Sequence, residues 1–241
     1  MPALVVGASG ATGRLLVKQL LDRGLNVKAI VRNPDKLPGD IRNHKNLSTI
    51  HASLLDLGDA DLAAHVDGCT AVASCLGHNL NVKGIYGRPR MLVTDAVRRL
   101  CDAIRSNRSE KPVRFVLMNT AGYRNRGIAE RISLGEKCVI GVVRLLLPPY
   151  LDNERAADYL RTTIGQNDGR IEWAVVRPDS LTDESKVTEY AVYSSPIRSA
   201  IFDAGTTSRI NVGHFMADLI ADDHAWKKWK GRMPVIYNVR R

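Results

Sequence analysis

"LVVGASGATGR", from Leu4 to Arg14, sets three glycines in seven residues between an apolar run and a stretch of helical periodicity. Each glycine costs conformational entropy on folding, so something must need the backbone at close range there. Gly7, Gly10 and Gly13 form GxxGxxG directly after a strand and at the opening of a helix. In a dinucleotide fold the first glycine permits the tight turn and the second lets the backbone reach a pyrophosphate. The third lets the helix pack closely on the strand. The phosphates then lie at the helix N-terminus, where unpaired N–H groups and the helix dipole favour an anion. Ser9, Ala11 and Thr12 complete the turn, and the two hydroxyls among them add donors. A glycine-rich turn without a ligand is the bland alternative; the strand–turn–helix context favours a phosphate cradle.

The next strand ends in "AIVRNPDKL". A site that prefers NAD places Asp or Glu at that end to accept from the ribose 2′-hydroxyl. Here Arg32 occupies it, with Lys36 one turn onward. A guanidinium pairs bidentately with phosphate, so NADP(H) is the expected cofactor. The competing reading is a surface arginine at a strand end.

Beyond these motifs, short apolar runs alternate with helical patterns. Strands are expected at Ala3–Val6, Asn26–Val31, Leu47–His51, Ala71–Leu76, Val113–Met118, Trp173–Arg177 and Val235–Tyr237. Helices are expected at Thr12–Arg23, Ala60–Val66, Pro89–Arg105, Asn153–Thr163 and Val212–Asp222, with Gly24 where a helix C-terminal glycine belongs. The pattern implies an α/β fold, a doubly wound (Rossmann), mostly parallel sheet with helices on both faces. With 241 residues, 44% of them hydrophobic, the chain suits one NAD(P)-binding domain over residues 1–241. Two stretches, 122–150 and 178–210, break the alternation beyond strand C-termini, where open α/β sheets bind ligands. They are the expected substrate walls. Within the first, Val139, Val142, Val143, Leu146 and Leu147 recur near helical spacing, which predicts a helix closed by Pro148-Pro149 that lays an apolar wall over the cofactor with Tyr150 at its end; a helix that caps the core or forms a dimer contact is the alternative.

The net charge is +10, but the basic residues (Arg98-Arg99, Arg124, Arg126, Lys227-Lys228, Arg240-Arg241) are scattered rather than gathered among aromatics. An anionic small-molecule ligand fits this better than nucleic acid. "WKKWKGR", from Trp226 to Arg232, reads as a terminal helix with inward tryptophans. The most apolar window, Cys138–Leu147, is too short to span a bilayer, and no membrane partner is expected. Cys69, Cys75, Cys101 and Cys138 form no CxxC pair, and with no signal peptide after Met1-Pro2 they read as reduced thiols in a cytoplasmic monomer or homodimer. His44, His51, His78 and Asn79 lack ligands at metal spacing, and Ser133 lacks the elbow context of a hydrolase nucleophile. No metal is expected.

"VVGASGATGR", "VRNPDKL", "SLLDLGD", "VLMNTAGY", "AADYLR…IEWAVVRPDSLTD" and "SRINVGHFMADLI" together resemble the atypical short-chain dehydrogenase/reductase superfamily. The likeness is to its NAD(P)H-binding, NmrA-like members, which include flavin-reductase and biliverdin-reductase-B-like proteins. It implies that Asp56 and Leu57 line the adenine, with helix capping the alternative for Asp56. It also implies that Ser74 to Gly77, with Cys75, Leu76 and Gly77 as the cofactor contacts, pass the adenine-side ribose. Asn119, Thr120, Arg177 and Pro178 should then approach the nicotinamide end. Carbonyl-reducing members carry Tyr-x-x-x-Lys; here the matching positions are Tyr150 and Glu154. A carboxylate beside a phenol raises its pKa, the wrong direction for an acid/base at neutral pH. Tyr150 after two prolines is expected to precede the helix, with Asp152 as its N-cap. Tyr150 and Thr120 are the candidate catalytic residues. Two functions stay open: hydride transfer to a flavin, quinone or other conjugated acceptor that needs no protein acid, or a non-catalytic NADPH-binding sensor of NmrA-like type.

Overall fold

The structure is a computed structural model that describes residues 2–78, 81–130 and 133–239. Asn79, Arg240 and Arg241 lie outside the described residues.

The chain begins with β1 (Ala3–Val6), every residue of which is buried, and turns through the glycines into α1 (Gly13–Asp22). Leu16, Val17, Leu20 and Leu21 bury one stripe of that helix, each contributing about 2 kcal/mol. Gly24 ends it with φ +75°, the left-handed conformation that a residue with a Cβ resists. The alternation continues with β2 (Val27–Val31), a short α2 (Gly39–Arg42), β3 (Leu47–His51), α3 (Asp59–Val66) and β4 (Ala71–Ser74). Then come α4 (Val82–Tyr86), α5 (Leu92–Ser106), β5 (Val113–Met118), α6 (Leu134–Leu146) and α7 (Pro148–Tyr159), the last prolonged by a wider turn over Leu160–Ile164. The chain closes with β6 (Ile171–Pro178), β7 (Ser180–Thr182), β8 (Tyr190–Tyr193), β9 (Thr206–Ser208), α8 (Arg209–Ala221), α9 (Asp223–Trp229) and β10 (Val235–Asn238).

Eight strands form one sheet in the order β3-β2-β1-β4-β5-β6-β10-β8, parallel throughout except for the antiparallel edge strand β8. Two apolar layers cover it. Val93, Val97, Leu100 and Leu160 belong to the layer on the α3, α5 and α7 side; Leu16, Leu20, Phe215 and Trp229 belong to the α1, α8 and α9 side. Helices on both faces of a parallel sheet are the expected doubly wound arrangement. The strand order reverses between β1 and β4, and ligands bind outside the strand carboxyl ends at such a reversal. Trp226 and Trp229 of α9 are buried, as the sequence implied.

Three expectations change. The helix expected from Pro89 starts at Leu92. Helix α7 begins at Pro148, so Tyr150 lies in its first turn and Asp152 one turn inside it. The cause is local: prolines with fixed φ and no N–H are at home in the first helical positions. In α6, Val142, Leu146 and the following Leu147 are exposed, and it is Ile140 that faces a cavity. The segment 178–210, without a clear sequence pattern, contributes β7, β8 and β9.

Candidate functional site

Gly7 has φ +72°, and a Cβ there would lie 2.6 Å from the Cys75 carbonyl carbon. A Cβ on Gly13 would collide with the Gly7 carbonyl oxygen, so the third glycine lets α1 approach its own turn. Gly10 is different: its Cβ would meet only the Gly7 oxygen, at 3.1 Å. Thr12 stands at the N-cap of α1 without a side-chain cap bond; the Arg14 and Leu15 N–H groups donate to the Gly10 and Thr12 carbonyls, so an anion would meet the glycine turn ahead of them. Gly7 and Gly13 are thus required by the packing of the turn itself, whereas Gly10 is not.

Beside this turn opens a cavity of about 530 Å³. Gly7 and Ser9 border it from the turn, Arg32 from the end of β2, Asp56 from the segment after β3, and Leu76 and Gly77 from the end of β4. Six of the expected cofactor residues thus converge. Asp56 is not the cap of α3, whose N-cap is Gly58. Leu57 lies in the apolar layer instead, and its carbonyl accepts from Arg99. Arg99 also donates to the Leu54 carbonyl at 2.8 Å, which fixes the loop carrying Asp56. Cys75 touches Gly7 through its backbone; burial pushes its thiol up to about 12. Lys36 is exposed one turn beyond Arg32. Sequence reasoning missed Arg88, Pro89 and Leu92, which close the far side of the cavity. They arrive from a connection with no motif, so nothing local marked them.

A second cavity, about 280 Å³, opens where β5 and β6 end. Its walls are Ala121, then Gly122–Arg124, Glu130, Glu136 and Ile140 from one expected insert and Pro196–Ile201 from the other. The inserts are joined by Ser199, whose hydroxyl donates to Glu136 at 2.5 Å. Ser133 begins α6 with a capping box: its hydroxyl accepts from the Glu136 N–H. Its role is that cap.

Asn119 and Thr120, expected near the nicotinamide, precede the wall residue Ala121 but line neither cavity. The Asn119 amide donates to the Asn153 carbonyl at 2.8 Å and accepts from the Thr120 N–H. Thr120 Oγ1 accepts from the Gly122 N–H at 3.2 Å. Pro178 is buried, its carbonyl accepting from Ala121 N–H at 2.8 Å. Arg177, expected near the nicotinamide, lines neither cavity. It is 0% exposed and donates to the Met233 carbonyl at 2.7 Å, the Tyr123 carbonyl at 2.9 Å and Glu130 at 2.6 Å. A fully buried guanidinium must be fully partnered, and this one, at the carboxyl end of β6, ties the 123–130 loop to that strand.

Tyr150 and Glu154 share one face of α7, four residues apart. The Tyr150 hydroxyl donates to the Gly122 carbonyl. Burial first, and then the Glu154 charge, push its pKa up to about 12. Glu154 is itself buried and bonds Arg126 at 2.6 Å, while Arg144 Nε stands 2.9 Å from its other oxygen as a charge contact without hydrogen-bond alignment. Where a carbonyl reductase has a lysine, this chain has a carboxylate clamped by two arginines. Among the described residues no group of His, Cys, Asp or Glu is arranged to hold a metal ion.

A glycine cradle at a strand-order reversal, with a cavity on either side of the carboxyl ends, defines a nucleotide-dependent protein of the doubly wound class. A family model described as NAD(P)H-binding matches residues 7–223, and the chain belongs to that family. The oxidoreductase ylbE of Lactococcus lactis superposes with TM-score 0.69 at 18% identity, covering 100% of this chain and 92% of that one. SP1627 of Streptococcus pneumoniae TIGR4, a candidate NADH-flavin reductase, gives 0.67 at 19% identity over 99% and 100%. A short-chain dehydrogenase/reductase of Veillonella parvula in complex with NADP gives 0.67 at 14% over 98% and 94%. These likenesses are of fold. Dihydroflavonol 4-reductase of Dianthus caryophyllus is 45% identical over 74 residues, 28% of this chain and 20% of that protein. The match therefore spans about a fifth of that relative.

Proposed function

We propose that this protein is an NADP(H)-dependent reductase that passes hydride to a flavin, quinone or other conjugated small molecule. The observation that carries the cofactor choice is Arg32 in the wall of the cavity beside the glycine turn, where an NAD site would hold a carboxylate. Its guanidinium pairs with the 2′-phosphate, with Lys36 nearby, while the glycine turn at the N-terminus of α1 and Ser9 take the pyrophosphate. NADPH supplies the hydride. The chain's own part is to fix the cofactor and to shape the second cavity, just beyond Thr120 in the chain, where the acceptor sits.

The acceptor class follows from Tyr150. A phenol with a raised pKa, donating to Gly122 and beside a carboxylate, is a poor proton source for an alkoxide. A flavin or quinone takes hydride into a delocalised system and completes its protonation from solvent. The test is NADPH oxidation measured against flavins, quinones and small carbonyls, with turnover expected for the first two. The engagement of Tyr150 also favours a second reading, in which the protein binds NADPH as a non-catalytic sensor. Tight NADPH binding with no turnover on any acceptor would select it.

A further inference from the structure

Thirteen large apolar side chains are exposed among the described residues, and ten of them belong to the segments 122–150 and 178–210. The concentration is greatest on α6, which has no buried residue at all. Leu134, Cys138, Val142 and Leu145 follow one another at helical spacing along a single outward stripe; Leu134 is 78% and Leu145 83% exposed. At the N-terminal end of that helix Phe202, 64% exposed, lies against Gly135. At the other end the Tyr86 hydroxyl donates to the Leu146 carbonyl at 3.2 Å and extends the patch to α4. Ile197 and Ile201 are exposed too, and both line the second cavity. The apolar surface therefore borders the mouth of that cavity at Ile197 and Ile201. Patches of this extent in a water-soluble chain mark an interaction surface.

The charges around it indicate the partner. Lys137 lies beside the stripe on α6 and Arg124 stands at the cavity mouth; Arg144 and Arg198 lie on the same face but are paired with Glu154 and Asp203. The acidic groups of the same face are engaged internally: Glu136 in the α6 cap and with Ser199, Glu154 with Arg126 and Arg144, Asp203 with Arg198. Among the described residues, two copies of this chain packed stripe to stripe would bring no free acidic group to Lys137 and Arg124, since the acids of the face are engaged within the chain. A surface of anionic headgroups would neutralise the same cations while accepting the leucines. An amphipathic helix with basic flanks is the pattern of an element that lies in a membrane interface.

We propose that α6 and residues 196–202 dock onto the surface of an anionic lipid bilayer, with the mouth of the second cavity towards the lipid. Docking of this kind needs no spanning segment, and among the described residues no helix is long and apolar enough to cross a membrane. The proposal does not depend on which acceptor is reduced. Flotation of the full chain with vesicles tests it, using phosphatidylcholine alone and phosphatidylcholine mixed with phosphatidylglycerol. Flotation is expected with the anionic mixture and not with phosphatidylcholine alone. A double variant, Val142→Ser with Leu145→Ser, should lower the bound fraction about tenfold; both positions are exposed, so the fold should survive by circular dichroism. Lys137→Glu should weaken binding severalfold, whereas Lys18→Glu on α1, across the sheet, should not. No flotation with anionic vesicles, or undiminished flotation of the double variant, overturns the proposal. Equal losses from Lys18→Glu and Lys137→Glu would reduce the effect to net charge and overturn it as well. A vesicle-free dimer that the double variant splits would assign the face to a second copy and would likewise overturn lipid docking.

Discussion

His78 and Asp152, 74 residues apart, meet in a buried contact with Nε2 2.7 Å from Oδ2. The same carboxylate accepts the Val93 and Thr94 N–H groups at 2.8 and 2.9 Å, while Thr94 Oγ1 donates to the Asp152 carbonyl. Asp152 is thus the N-terminal cap of α5, supplied by another helix. His78 Nδ1, 3.1 Å from the Gly84 carbonyl, links the assembly to α4. One side chain joins the segment after β4 to two helices of the same layer.

Removing Asp152 should therefore unfold more than its own helix. Asp152→Ala leaves two backbone donors and an imidazole without their acceptor, and should cost about 3 kcal/mol in urea denaturation. Asp152→Asn keeps an oxygen acceptor and should cost about half as much. A loss under about 1 kcal/mol for the alanine variant would show that the cap contributes little.

The glycines of the cradle should separate by experiment. Gly13→Ala forces a Cβ onto the Gly7 carbonyl and should destabilise the fold by about 2 kcal/mol or more. Gly10→Ala meets only one oxygen at 3.1 Å; its cost to stability should stay within about 1 kcal/mol. It should nevertheless weaken NADPH binding at least about tenfold, because the added methyl stands where the backbone must approach the pyrophosphate. Thermal melts with and without NADPH distinguish the two outcomes.

Arg32→Glu should invert cofactor preference. It replaces a phosphate partner by a like charge and offers the NADH ribose an acceptor. NADPH affinity by calorimetry should fall about a hundredfold, or about 2.7 kcal/mol. Unchanged NADPH affinity would remove Arg32 from the cofactor site.

Tyr150→Phe should leave the single-turnover hydride rate within about tenfold, about 1.4 kcal/mol, because the phenol donates to Gly122 rather than to an acceptor. A drop of about a thousandfold with intact cofactor binding would make Tyr150 the catalytic acid and Glu154 its tolerated neighbour.

The same phenol predicts an alkaline dependence of stability. Its folded-state pKa, raised to about 12 by burial and then by Glu154, exceeds the unfolded value of about 10. The folded state therefore holds this proton more tightly. The resulting stability is complete below about pH 10 and is lost as pH rises towards 12. Tyr150→Phe should flatten part of that decline in denaturation curves taken across this range, and an unchanged slope would contradict the assignment.

The sequence by itself determined the elements whose cause is local. Gly7, Gly10 and Gly13 mark a turn because chain neighbours set its conformation, and apolar periodicity marks strands and helices because each buries one face. Arg32 was legible since its position at a strand end follows from β2 alone. Tertiary structure decided what the long-range partners do. Asp152 looked like the cap of its own helix but caps α5, because Pro148 and Pro149 begin α7 and turn its carboxylate towards donors 58 and 59 residues away. Arg177 looked like a cofactor contact, yet it lies inside the sheet layer and pairs with Glu130, 47 residues off. The second cavity exists only where the two inserts meet across Glu136 and Ser199. Neither insert carries a pattern that names the other, because a contact between distant segments is fixed by how the layers pack and not by the spacing of residues along either one.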